Sequence, residues 1–202
     1  VESLEAALQE AELSGWLDSS DERLKVLGLR HKLVDPIEWL RRHPRLPAQT
    51  SLCNTHGDMH SRNVLVDRNR QAWLIDFSRA GLGHIFRDLI ELESDIKFTL
   101  LDVTDLPSLI SFEVTLLGQS RFDDRPTLPS FEQPELKKAF SVVLGIRQIA
   151  GELAGLGANM LDYYQGLLLQ TLAMLRLRHV TPLQKRHAYI AASLLCQRLE
   201  EW

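Results

Sequence analysis

Apolar residues along this chain recur first at helical spacing, then at every second position, then at helical spacing again. From Ser3 to Leu13, Leu4, Ala7, Leu8 and Ala11 alternate with acidic positions and predict an amphipathic helix. Asp18-Ser19-Ser20-Asp21 reads as a turn, and Glu22 to Leu33 predicts a second helix with Leu24 and Leu27 inward. Asp35-Pro36 reads as an N-cap with proline in the first helical position, opening a short helix through Arg42 that Pro44 and Pro47 close. The period then drops to two. Leu52 to Thr55 predicts a short strand, and Val64-Leu65-Val66 and Ala72 to Ile75 predict two more, joined into a hairpin by the polar turn Asp67-Arg68-Asn69-Arg70. This hairpin is expected at the core of the domain.

Helical spacing returns at Asp88 and runs to about Leu101. Asp102 to Gln133 is the least regular stretch, broken by Pro107, Pro126 and Pro129, and reads as a lid, a binding loop or a disordered excursion. Within it, Phe112 to Leu117 fits a strand or a helical turn. Three helices complete the pattern. The first runs from Pro134 to about Leu156 with Leu136, Phe140, Val143, Ala150 and Leu153 inward, the second from Asn159 to His179. Thr181-Pro182 opens the third, with Tyr189, Ala192, Leu195 and Leu199 inward. The expected class is α+β, mainly helical.

Composition narrows the function. A chain of 202 residues with 45% hydrophobic and 25% charged residues suits one soluble globular domain. A net charge of -4 without a dense Lys/Arg cluster argues against nucleic acid and membrane partners, and Arg41, Arg42 and Arg45 read as a solvated helix end. No apolar run approaches the ~20 residues of a membrane span, and no signal peptide is visible. Cys53 and Cys196 form no metal or redox spacing, so a cytoplasmic setting is expected, with Cys53 a small buried apolar residue. The first residue is Val, which suggests a piece of something longer.

The candidate chemistry gathers around the hairpin. His56-Gly57-Asp58 and Asn63 lie on the loop before its first strand, and its second strand ends on Asp76-Phe77, so Asp58, Asn63 and Asp76 converge at one end. Phosphoryl transfer needs such a set: one carboxylate to orient the attacking hydroxyl, and oxygen ligands to hold magnesium against the phosphates. A lone Gly-Asp is usually a turn former, and the weight here comes from the composite spacing. Zinc held by His56, Asp58 and His60 would lack a fourth ligand.

These residues resemble the aminoglycoside phosphotransferase and choline kinase-like family. His56-Gly57-Asp58-Met59-His60 with Asn63 is similar to its catalytic loop, Ile75-Asp76-Phe77 to its metal-binding segment, and Ala80, Gly83 and Asp88-Leu89 to its downstream pattern. Gly57 and His60 beside Asp58 favour the small-molecule branch over protein kinases. The resemblance implies a protein kinase-like fold with Asp58 as base, Asn63 and Asp76 as magnesium ligands, and ATP with magnesium as cofactor. It also implies that Asp88 braces the loop through backbone contacts, although an N-cap explains that residue too, and His56 reads as a buried brace. Glu91 and Asp95 share a helix face, either as an acidic wall against a cationic substrate, as possible substrate contacts, or as a solvated face.

A complete enzyme of this kind also has a strand-rich N-terminal lobe with a glycine-rich loop and a phosphate-binding lysine. Residues 1–50 hold only Gly15, Gly28, Lys25 and Lys32 in a helical pattern, so residues 1–202 are expected to form the mainly helical C-terminal lobe alone. Two functions follow. One is the catalytic lobe of an ATP- and magnesium-dependent phosphotransferase acting on a small-molecule hydroxyl, silent without its small lobe. The other is a non-catalytic kinase-like binding or interaction module of a larger multidomain protein. Its partners are then ATP and a hydroxyl-bearing substrate, or the missing lobe and neighbouring domains.

Overall fold

A computed structural model describes residues 2–10, 13, 33–46, 51–127, 131–155 and 157–202. The helix expected over residues 22–33 lies, Leu33 apart, outside them. Helix α1 (Glu2–Glu10) turns Leu4, Ala7 and Leu8 inward, and α2 (Pro36–Arg42) starts where Asp35 Oδ1 accepts from the Ile37 amide at 2.7 Å. Strands β1 (Leu52–Thr55), β2 (Val64–Val66), β3 (Ala72–Leu74) and β4 (Gly81–His84) follow. Helix α3 (Arg87–Asp95) runs into a π-helical turn, Ile96–Leu100, and α4 (Leu106–Leu117), α5 (Pro134–Ala154), α6 (Leu161–Met174) and α7 (Pro182–Leu199) complete an α+β fold dominated by helix.

The strands form two antiparallel pairs. In one, β2 and β3 place Val64 opposite Leu74 and Val66 opposite Ala72, which is the expected hairpin. In the other, β1 pairs with β4, Leu52 opposite His84 and Thr55 opposite Gly81. Strand β4 was not legible because Gly81 and Gly83 depress strand propensity. Packing explains one of them: a Cβ at Gly83 would stand 2.8 Å from Thr55 Oγ1 on the neighbouring strand.

Four expectations change. The hairpin lies at the surface rather than in the core, with Val66 66% and Trp73 58% exposed, because no described element packs over it. Residues 112–117 belong to α4, which Asp105 caps by accepting from the Ser108 amide at 3.0 Å, with Pro107 in the first turn. Their period misleads because α4 is buried on two sides: Ile110 and Leu117 join one core cluster, Leu109, Phe112 and Leu116 the other. Leu153, expected inward, is half exposed on α5, and Cys53 is only partly buried.

The larger cluster gathers Trp39, Phe86, Phe98, Tyr163, Tyr189 and Leu195, and the smaller lies between α4 and α5. A buried network of charge runs through the helices around them. Arg147 of α5 grips Glu93 of α3 with both Nε and Nη2, at 3.0 and 2.7 Å, and its Nη1 donates to the Leu116 carbonyl and to Gln119 Oε1 at 2.6 and 2.9 Å. Tyr163 of α6 donates its hydroxyl to Glu93 at 2.8 Å. Lys97 stands 2.7 Å from Glu113 of α4, which also accepts from His187 Nε2 of α7 at 2.8 Å. Burial alone would raise the Glu113 carboxyl, but Lys97 and His187 outweigh it and hold it at about 2. Burial likewise opposes the Arg147 charge, and Glu93 more than offsets it.

Two outcomes are expected. Arg147→Met should cost about 3–5 kcal/mol of folding stability in urea denaturation, because it strands the Glu93 carboxylate in the interior; a loss below ~1 kcal/mol would contradict the network's role. Glu113 has its folded pKa lowered from 4.5 to about 2, so its contribution is complete above the higher value and disappears as pH falls toward the lower. Urea midpoints measured down through that window should decline, and Glu113→Gln should remove part of the slope.

Candidate active site

The loop from His56 to Asn63 is held from beneath by one face of α3. Asp88, Glu91 and Asp95, spaced three and four apart, lie along that face and each receives backbone N–H groups. Asp88 accepts from the His56 amide at 2.7 Å and the Gly57 amide at 2.9 Å. Glu91 accepts from Met59 and Asp95 from Ser61, both at 2.8 Å. Arg87 Nη2 ties the same loop from its carbonyl side, donating to Gly57 O at 2.7 Å. Hydrogen bonds to ionised acceptors are the stronger kind, so these contacts fix the loop's path.

This arrangement corrects two of the plainer readings. Asp88 does not cap its helix, which begins at Arg87 after Phe86; both its oxygens go to the loop. Glu91 and Asp95 are not a solvated face. Asp95 is buried, and each residue commits an oxygen to a loop amide while lining the neighbouring cleft. Charged residues at helical spacing carry no mark in sequence of whether water or backbone satisfies them.

Gly57 is required twice over. Its φ is +79°, and a Cβ there would stand 2.2 Å from the Arg79 carbonyl oxygen. His56 is buried as expected, its Nε2 donating to Ile75 O at 2.8 Å and its ring 4.8 Å from that of Phe77. Asp58 lines the cleft, with Oδ1 accepting from Arg79 Nη1 at 3.2 Å and Oδ2 3.8 Å from His60 Nε2. Buried Asn63 donates through Nδ2 to the Asp58 carbonyl at 2.9 Å, which fixes which end of its carboxamide is oxygen. Arg79 and Arg87 were missed by sequence reasoning, and the only signal for Arg79 is its place three residues after Asp76.

Asp76 follows directly on the hairpin register, since the Ile75 amide donates to Asn63 O at 3.1 Å. Its backbone is left-handed, φ 61° and ψ 64°, a conformation that aspartate tolerates better than most residues. Hydrogen bonds from Ser78 hold its carboxyl below the usual range against a weaker burial effect, helped by His56 and Arg79. Among the described residues no three of His, Cys, Asp and Glu gather closely enough to hold a metal alone. The donors at this end of the hairpin are one amide and one carboxylate, hard oxygens that suit a magnesium taking its remaining ligands from phosphate and water. The cleft beside Asp58 has a volume of about 410 Å³, and Gln170, Met174, Leu177 and His179 line it as well.

Residues 4–176 match the family described as ternary complex associated domain 9. No curated protein matches the chain, and no solved structure does.

Removing the brace should loosen the loop alone. In Asp88→Ala the His56 and Gly57 amides should exchange with deuterium at least about tenfold faster, each having lost a charge-assisted bond, while the α7 core stays protected. Unchanged exchange at His56 and Gly57 would show that the loop is held by something else.

Proposed function

We propose that this chain, which belongs to the ternary complex associated domain 9 family, is the kinase-like catalytic lobe of an ATP- and magnesium-dependent phosphotransferase acting on a small-molecule hydroxyl. The observation that carries this reading is the loop from His56 to Asn63, which three carboxylates hold by its backbone amides while Asp58 lines a cleft. Holding a loop by its main chain leaves its side chains available for chemistry. Asp58 would orient the hydroxyl and accept its proton, with Arg79 Nη1 3.2 Å from its Oδ1 helping to aim the carboxylate. Asn63 and Asp76 would hold magnesium, which when bound neutralises charge on the nucleotide phosphates. Substrate would occupy the cleft between the loop and the end of α6.

The uncovered hairpin supports a missing partner. A two-stranded ribbon exposing Leu65, Val66, Trp73, Leu74 and Phe77 is marginal in water, and a small lobe or neighbouring domain seated there would bury it. The same surface favours the second reading, a kinase-like interaction module, because the family's own description associates it with a ternary complex.

The two readings separate on the full-length protein. Asp58→Asn should lower turnover by about 10²–10⁴-fold with nucleotide affinity nearly intact, whereas Asp76→Ala should lose magnesium-dependent nucleotide binding. Equal loss of binding in the two variants would overturn the division of roles, and absence of any turnover in the wild type would leave the interaction module. The 202-residue chain by itself should bind ATP with magnesium weakly and show no turnover, since residues 1–50 contain no glycine-rich loop.

A further inference from the structure

Helix α5 has two apolar faces, and the core accounts for only one. Leu136, Ala139, Phe140, Val143, Ile146 and Ala150 are buried. Roughly 120° around the axis, Val142, Ile149 and Leu153 are 42, 50 and 51% exposed. The positions 135, 138, 142, 145, 149 and 152 alternate in steps of three and four, which is the spacing of a helix-pairing seam, and read Glu-Lys-Val-Gly-Ile-Glu.

Gly145 is the independent observation. Glycine in the middle of a helix is destabilising relative to alanine, so its presence calls for a local reason. Elsewhere the reason is visible: a Cβ at Gly151 would stand 2.7 Å from Phe122 Cβ, and one at Gly166 would stand 2.6 Å from Ile90 Cδ1. A Cβ at Gly145 would meet nothing within 4 Å among the described residues. What glycine does provide there, on an exposed apolar seam, is room for a second backbone to approach closely.

The charges along the seam select the occupant. Two copies of α5 laid parallel would set Lys138 on Lys138 and Glu152 on Glu152. Laid antiparallel and crossing at Gly145, they set Val142 against Ile149 twice and Lys138 beside Glu152 twice, so the seam is complementary to itself. We propose that α5 pairs antiparallel with α5 of a second copy of this chain, about a two-fold axis at Gly145. With so few apolar side chains from each copy, the dimer is of the weak, concentration-dependent class. The seam includes none of the residues lining the cleft beside Asp58, so the dimer does not depend on the proposed chemistry.

Sedimentation equilibrium of the purified chain, over a concentration range on the order of a hundredfold, should show the mass rising from one chain toward two. Ile149→Asp should weaken association by at least about tenfold. Lys138→Glu should weaken it and Lys138→Glu with Glu152→Lys should restore it, which a parallel pairing would not do. Gly145→Leu should raise the thermal midpoint of the monomer, leucine being the better helix former, while weakening the dimer; this keeps a failed fold distinct from a failed interface. Gly145→Cys should cross-link two chains through that residue on mild oxidation. A mass of one chain throughout, a dimer indifferent to Ile149→Asp, or a seam that binds only a different protein would each overturn the proposal.

Discussion

Glu93 is gripped by two nitrogens of Arg147 and by the hydroxyl of Tyr163, all inside the protein, and this contact constrains the whole helical assembly. Through Lys97, Glu113 and His187 the same network reaches α4 and α7, so α3, α4, α5, α6 and α7 each contribute a member. An apolar contact degrades gradually as helices slide, whereas a buried charge loses its partner altogether and keeps its desolvation penalty. Each helix therefore has little freedom to rotate or shift without orphaning a charge.

Helix α3 carries that order outward. Its inner side places Glu93 in the network, and its outer side presents Asp88, Glu91 and Asp95 to the loop of Asp58. Position set by the interior is thereby passed within one or two turns to a loop at the surface. The loop tolerates two demanding backbone conformations nearby, at Gly57 and Asp76, because the scaffold under it is held from several directions. A candidate site that must aim a carboxylate benefits from being fastened by its main chain.

The surface has two features that the core does not use. The β2–β3 hairpin is apolar and uncovered, and it adjoins the candidate site through Asn63 and Asp76. The outer seam of α5, on a different helix, exposes Val142 and Ile149 on either side of a glycine. Apolar area removed from water is worth about 25 cal/mol per Å², so such exposure is favourable to cover, and each surface fits a different covering element.

Local causes were legible from the sequence. Asp35-Pro36 and Thr181-Pro182 started helices because a cap needs only its own next few residues, and the hairpin followed from its turn and alternation. The grouping of Asp58, Asn63 and Asp76 near one hairpin end was legible for the same reason. Only the tertiary structure decided the rest. Strand β4 exists because β1 lies beside it, and α4 hides its period because two cores claim it. The brace by Asp88, which the resemblance implied, is present, whereas Glu91 and Asp95 carried no sign in sequence that each would give one oxygen to an amide of the loop. Glu93 and Arg147 meet across 54 residues of sequence, a pairing that neither charge announces, since the physical cause of a buried ion pair lies in which helices pack together.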